Sequence, residues 1–299
     1  MKAVAVIQAR MGSSRLPGKV LKPLYGSPML TRVVERARRA ECLSDVVVAT
    51  TTLRADDVIE RLCKENRWHC FRGSEADVLD RYYQAAVKFQ ADAVVRITSD
   101  CPFIDTEIID SVVHEFRSGQ PDVEYVSNLI PTRTYPRGLD VQIIRFDTLE
   151  NLWRQDTNPK WREHVTYYLD LHPEQFCIRT VTNETDYSSM RWTVDTPEDL
   201  KFARQVYRYF RHDRFTWREM LSAVVRHPDW ADINQSSKTE DFGLKPSGNG
   251  AEVEKSWSAT SNFDRDISIK QQPTQVDTST PLLRKAVLAD AEPIWNIIN

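Results

Sequence analysis

From Ala3 to Gly119 the apolar positions repeat with two different periods. Ala3 to Ile7, Asp45 to Thr50 (DVVVAT) and Ala93 to Thr98 (AVVRIT) are continuous apolar runs of strand length, as expected of strands buried on both faces of a parallel sheet. Between them the period lengthens to that of a helix. Pro28 opens a segment with Met29, Leu30, Val33, Val34 and Ala37 on one face, and Asp56 to Asn66 turns Val58, Ile59, Leu62 and Cys63 inward. Val78 to Phe89 and Ile108 to Phe116 repeat the pattern, the last stopped by Gly119, and His69 to Arg72 adds a short strand. Strands alternating with helices predict an α/β fold: a mostly parallel sheet, helices on both faces, ligands beyond the carboxyl ends of the strands.

After Gly119 the alternation stops. Tyr125 to Ser127 and Leu139 to Phe146 predict strands joined by a polar loop, Pro131 to Gly138, with no helix between them. This predicts a small antiparallel insertion over about residues 121–190. Asp147 with Glu150 resembles a capping box opening a helix through Trp153, Trp161 to Leu171 predicts one further helix, and Gln175 to Val181 a strand. In Met190 to Leu200 (MRWTVDTPEDL) a strand ends at Asp195, Thr196 is the N-cap and Pro197 the first helical residue. Helices to about Phe210 and over Thr216 to Arg226 close a domain of residues 1–234. From 235 to 280 polar residues without period predict a disordered linker. At 281–299 LLRKAV and a following helix resemble the start of a GNAT-type acetyltransferase, cut before any acetyl-CoA loop.

The densest chemistry follows the first strand. Gln8 to Leu21 reads QARMGSSRLPGKVL, a turn rich in Gly and Ser that holds three cations, Arg10, Arg15 and Lys19. Gly12 and Gly18 allow backbone conformations that a Cβ resists, so peptide N–H groups can turn inward. Together with guanidinium and ammonium donors they predict a site for a polyanion, foremost a nucleoside triphosphate. It is not a Walker A loop: five residues separate Gly12 from Gly18, and Val20 stands where a magnesium-binding hydroxyl is needed. The Gly-x-Gly-x-x-Gly dinucleotide fingerprint is absent as well.

Composition narrows the class. With 299 residues, 41% hydrophobic and 28% charged, the chain can bury a substantial core as a globular protein. A net charge of −3 argues against general nucleic-acid binding, which needs a basic excess. Five scattered cysteines, never spaced Cys-x-x-Cys, indicate neither a disulfide framework nor a zinc site and predict a reducing cytoplasm. No apolar run is long enough for a membrane span, and the N-terminal one is too short for a signal sequence.

Arg10, Ser14, Arg15, Pro17, Gly18 and Lys19 resemble, position by position, the CTP-binding signature of the sugar-acid cytidylyltransferases that make CMP-sialic acid and CMP-KDO. Met1 to about Arg211 is most similar to the SpsF-type branch, named after a spore-coat polysaccharide protein. The resemblance implies a Rossmann-like nucleotidyltransferase sheet, CTP and a sugar acid as substrates, and an insertion that completes the sugar pocket and builds a homodimer. Ala9 to Arg15 with Lys19 (Ala9, Arg10, Met11, Gly12, Ser13, Ser14, Arg15) would bind the nucleotide, with Thr50, Arg72, Gly73, Ser74, Asp77 and Asp80 around the base.

Nucleotidyl transfer needs a metal to neutralise phosphate, and magnesium takes one or two carboxylates. Asp100 and Asp195 each end a predicted buried strand and match the family's two metal-binding aspartates. Taken alone, Asp195 is equally a helix N-terminal charge and Asp100 a turn residue. For the sugar carboxylate the candidates are Arg133, Arg137 and Arg162, with Asp140, Glu163 and His164 as hydroxyl partners or general base; His164 is equally a packed helix residue. The KDO-type Gln-Gly-Asp-Glu-Pro is here Thr98-Ser99-Asp100-Cys101-Pro102, and Gly-Thr-Asp-Arg is Val78-Leu79-Asp80-Arg81. A nonulosonate or another surface-polysaccharide building block therefore fits better than the octulosonate. The competing classes are a nucleotide-sugar glycosyltransferase, which needs no Arg15–Lys19 grip on a free triphosphate, and a non-catalytic nucleotide-binding scaffold.

Overall fold

The computed structural model describes residues 1–235. The linker and the GNAT-like segment expected beyond lie outside the described residues. The strands are β1 (Ala3–Gln8), β2 (Pro23–Leu24), β3 (Ser27–Pro28), β4 (Asp45–Thr51), β5 (His69–Gly73), β6 (Ala93–Thr98), β7 (Tyr125–Ser127), β8 (Gln142–Arg145) and β9 (Ile178–Thr180). The helices are α1 (Met29–Ala37), α2 (Asp57–Asn66), α3 (Val78–Lys88), α4 (Thr106–Ser118), α5 (Phe146–Gln155), α6 (Pro159–His164), α7 (Tyr167–Leu171), α8 (Pro197–Phe210), α9 (Trp217–Arg226) and α10 (Pro228–Asp232).

One sheet in the order β5-β4-β1-β6-β8-β7-β9 divides the molecule, and β2 and β3 pair as a separate hairpin. β5, β4, β1 and β6 run parallel, and β8 is antiparallel to both β6 and β7. The expected antiparallel segment thus extends the main sheet. Because side chains alternate across a strand, Ala3, Ala5 and Ile7 join a core with Leu30, Val33, Ile59, Ile108 and Val112 from α1, α2 and α4, while Val4 and Val6 face the other side, where α3 packs. All five β1 residues from Ala3 to Ile7 are fully buried, which explains the unbroken apolar run.

Several local expectations change. Val58 is 36% exposed rather than inward, because α2 turns only Ile59 and Cys63 fully into the core. Asp147 and Glu150 make no capping box: α5 starts at Phe146, Asp147 binds Arg145 and Glu150 accepts from the Tyr83 hydroxyl at 3.0 Å. The single helix expected from Trp161 to Leu171 breaks at Val165, whose φ of 56° and ψ of −58° close a three-residue turn with Thr166 N donating to His164 O at 2.6 Å. The segment before Asp195 is no strand. It touches the insertion at one bridge, Arg137 with Arg191. Thr196 does cap α8, in a reciprocal capping box with Asp199.

Candidate active site

Gln8, the last residue of β1, pairs with Ala49 on β4 and Thr98 on β6. From β1 the chain steps outward to β4 and β5 on one side, then crosses back to β6 on the other, so the order reverses beside β1; this opens a crevice at the carboxyl edge, and the loop from Ala9 to Lys22 lies in it. Ala9 N donates to Ala49 O at 3.0 Å, Met11 N to Asp56 Oδ1 at 2.7 Å, and Gly18 N to Met11 O at 3.1 Å. Gly18 stands at φ 65°, where side chains are strained, and a Cβ there would meet Met11 Cε at 3.2 Å. Gly12 has no such need, since its φ is not left-handed and a Cβ would meet only Arg10 Cδ at 4.0 Å.

This loop walls a cleft of about 250 Å³, completed by Val78 and Arg81 of α3, Thr98 at the end of β6 with Ser99 and Asp100 after it, Glu163 and His164 at the end of α6, and Asp195. A second cavity of about 270 Å³ adjoins it, lined by Arg96, Arg133, Arg137, Asp140, Gln142, Thr166, Asp170 and Arg191 among others. Arg15, Thr98, Asp100, His164 and Asp195 line both.

Lys19 is the hub of that shared wall. Its Nζ lies 2.9 Å from Asp100 Oδ2, 2.9 Å from Asp195 Oδ1 and 3.1 Å from Val194 O. Burial works against the ammonium, but the two carboxylates outweigh it and hold the group above its ordinary range. Burial likewise pushes the Asp100 carboxyl up; the Lys19 charge and the Thr98 hydroxyl outweigh that and hold it down at about 2. Asp195 also meets Arg15 at 3.4 Å and Arg191 at 2.9 Å. Behind it, fully buried Asp199 accepts from Arg191 Nε and Nη2, the backbone N–H groups of Asp195 and Thr196, and the Asn234 amide, all at 2.9–3.0 Å. That network fixes where Asp195 stands. His164 is pushed below its ordinary range by burial, which favours the neutral imidazole.

Asp100 and Asp195 are therefore two hard oxygen donors with an ammonium between them, opening onto a cationic loop. This donor set suits magnesium, which takes its other ligands from phosphate and water. Among the described residues no group of three His, Cys, Asp or Glu could enclose a metal by itself.

The loop residues Arg10, Ser13, Ser14, Arg15 and Lys19 converge on the first cleft, with Ala9 and Gly12, while Met11 packs against the core. Glu163 sits 3.9 Å from Arg10, a loose pair between exposed groups. Arg133, Arg137 and Asp140 line the second cavity, where Arg133 and Asp140 pair. The residues expected around the base do not line either cavity. Thr50 is fully buried, Arg72 is spent on Asp57, Glu60 and the Thr51 and Leu53 carbonyls, and Gly73 and Ser74 lie at that same strand end. Asp80 accepts from Trp153 Nε1 at 2.9 Å, and Asp77 caps α3 and binds Arg162, whose guanidinium also holds the Trp153 and Asp156 carbonyls. Arg162 is thus a clasp between α3 and the start of α6, away from the sugar side. Sequence reading missed Gln8, Asp56, Arg81, Arg96, Gln142, Asp170 and Arg191. Arg81 is 2% exposed with its Nε buried and unpartnered at the cleft, and its signal was the quoted Val78-Leu79-Asp80-Arg81 segment. All five cysteines are free thiols.

A family model described as cytidylyltransferase matches residues 4–222. The chain belongs to the cytidylyltransferase family. This cytidylyltransferase is 30% identical over 234 residues to the spore coat polysaccharide biosynthesis protein SpsF of Bacillus subtilis, covering 76% of the chain and 95% of that protein. A solved cytidylyltransferase from Leptospira borgpetersenii superposes with a TM-score of 0.75 at 36% identity, over 80% of this chain and 99% of that one. The CMP:2-keto-3-deoxy-manno-octonic acid synthetase complexed with CTP superposes with a TM-score of 0.55 over 70% of this chain and 99% of that one; at 24% identity it speaks for the fold. No helix among the described residues is long and apolar enough to cross a membrane.

Proposed function

We propose that this cytidylyltransferase joins the cytidylyl group of CTP to a hydroxyl of a sugar acid, of nonulosonate type, and releases pyrophosphate. The observation that carries the reading is the shared wall: Arg15, Thr98, Asp100, His164 and Asp195 face both cavities. A triphosphate gripped by the loop presents its α-phosphorus to that wall, and an acceptor in the second cavity presents its hydroxyl from the other side. The acceptor oxygen bonds to the α-phosphorus as the bond to the bridging α–β oxygen breaks. The hydroxyl proton passes to His164, whose neutral form burial favours, and the pyrophosphate leaves with its charge against Arg10, Arg15 and Lys19. Asp100 and Asp195 would hold a magnesium ion, which supplies neutralisation of the phosphates and orientation for in-line displacement. The likeness to SpsF supports a CMP-sugar product destined for surface polysaccharide.

The test is pyrophosphate release from each of the four nucleoside triphosphates with magnesium and a panel of sugar acids, beside Asp100→Ala. Release with CTP and a sugar acid, lost in Asp100→Ala, is expected. Equal release with all four triphosphates, or none with any pair, would sink the reading.

A further inference from the structure

The floor of the second cavity holds a cation and a carboxylate that the steps above do not use. Arg96 projects from β6, and its Nη1 donates to Gln142 Oε1 at 2.6 Å while its Nε is buried without a hydrogen-bond partner. Three of the cavity's other cations differ: Arg133 is matched by Asp140, Arg15 by Asp195, and Arg191 by Asp195 and Asp199. Arg96 makes no ion pair among the described residues, and neither does Asp170 of α7, which accepts from the Tyr125 hydroxyl at 3.1 Å. Gln142, 3% exposed, joins the two: its amide nitrogen gives hydrogens to the Tyr125 hydroxyl and to Thr166 Oγ1, which leaves its carbonyl oxygen turned to Arg96. With Tyr125 accepting from Gln142, its own proton goes to Asp170. A relay of neutral groups thus holds a guanidinium and a carboxylate at the same cavity without a direct ion pair: burial raises the Asp170 carboxyl to about 6, and the Arg96 charge, acting across the relay, draws it down only in part. A half-buried guanidinium with no carboxylate at ion-pair distance and no acceptor for its Nε costs stability until an anion fills its fork.

Resting on the transferase reading above, we propose that Arg96 takes the carboxylate of the acceptor and Asp170 takes a hydroxyl or amino donor of the same molecule, so that this floor selects a carboxylic acid bearing a donor. Calorimetry on the full chain tests it, with N-acetylneuraminate, 3-deoxy-octulosonate, their methyl esters and, separately, CTP as probes. The wild type is expected to prefer acid to ester by at least about tenfold. Arg96→Met binds acid and ester alike with CTP affinity unmoved, and Arg96→Lys restores part of the preference. Asp170→Asn weakens acid and ester together and leaves their ratio intact. Acid and ester bound equally by the wild type, neither acid bound, or an unchanged ratio in Arg96→Met overturns the assignment. If CTP fails to bind while the acid preference still follows Arg96, the nucleotide reading falls and this assignment stands.

Discussion

Lys19→Met separates two roles of one ammonium. The substitution keeps the length of the side chain and removes the charge that lies 2.9 Å from both Asp100 and Asp195. The two carboxylates are affected unequally. Asp195 keeps Arg191 at 2.9 Å and Arg15 at 3.4 Å, whereas Asp100 keeps the Thr98 hydroxyl and no ion pair among the described residues. Asp100 is held at about 2 against an ordinary 3.8. At about 1.4 kcal/mol per pH unit, this is on the order of 2 kcal/mol of stability tied to its ionised form. The folded-state value is depressed, so that stability is fully present above pH 4 and is lost as pH falls toward 2. Without Lys19, burial of Asp100 is opposed mainly by the Thr98 hydroxyl, and its carboxyl rises. The variant is therefore expected to lose roughly 2 kcal/mol at pH 7, and the gap to wild type narrows as pH falls below 4 and closes toward pH 2. Urea denaturation at a series of pH values reads this, and pyrophosphate release read in parallel falls by roughly 10²–10³ because the leaving group loses a cation. Equal stability at pH 7, a gap that widens on acidification, or release above about a tenth of wild type would refute the assignment of Lys19 to both roles.

Three further outcomes follow from the same geometry. His164 titrates below its ordinary 6.5, so the wild-type kcat falls as pH drops through that lowered value; His164→Gln lowers kcat by roughly 10²–10⁴ and flattens this acid limb, which a pH–rate profile shows. Gly138 stands at φ 103° with Thr193 N 2.6 Å and Trp192 C 2.7 Å from a would-be Cβ, so Gly138→Ala costs at least about 2 kcal/mol by urea denaturation, because backbone must move to admit it. Asp199→Ala leaves Arg191 with Asp195 alone and takes the acceptor from the Asp195 and Thr196 N–H groups, at a cost of roughly 3–5 kcal/mol, whereas Asp195→Asn costs far less stability yet abolishes pyrophosphate release; similar stability losses in the two would contradict the division of labour.

The order of strands and helices up to Gly119 was legible because burial on both faces leaves its mark directly in the sequence: Ala3 to Ile7 reads as apolar because every residue there is enclosed. The phosphate loop was legible for a local reason too, its cations and Gly18 lying in one short turn. Legibility failed where geometry depends on distant partners. Val165 continues a helical pattern in sequence, and nothing local announces the turn that breaks it and sets His164 at the junction of two cavities. Arg72 and Arg162 have the composition of ligand-binding cations, but carboxylates far along the chain, Asp57, Glu60 and Asp77, claim them. A guanidinium is equally good at either task, so sequence alone does not separate a clasp from a binder.

Arg96 is the instructive exception, because its signal was present. It is the one charged residue inside AVVRIT, and a charge in a strand buried on both sides needs either a counter-charge or a ligand. Gln142 on the neighbouring antiparallel strand answers with a neutral amide, directly opposite in the register of β6 and β8. A Glu in place of Gln142 would have satisfied Arg96 within the sheet and closed the fork to any ligand. The choice of an amide leaves the guanidinium, charged in either case, oriented and available, at a cost in stability that a purely structural residue has no reason to carry. Gln142→Glu gives Arg96 a counter-charge at the loss of the hydrogens donated to Tyr125 and Thr166, and is therefore expected to weaken the protein's hold on acids relative to esters; an unchanged acid-to-ester ratio would place Arg96 among the structural residues.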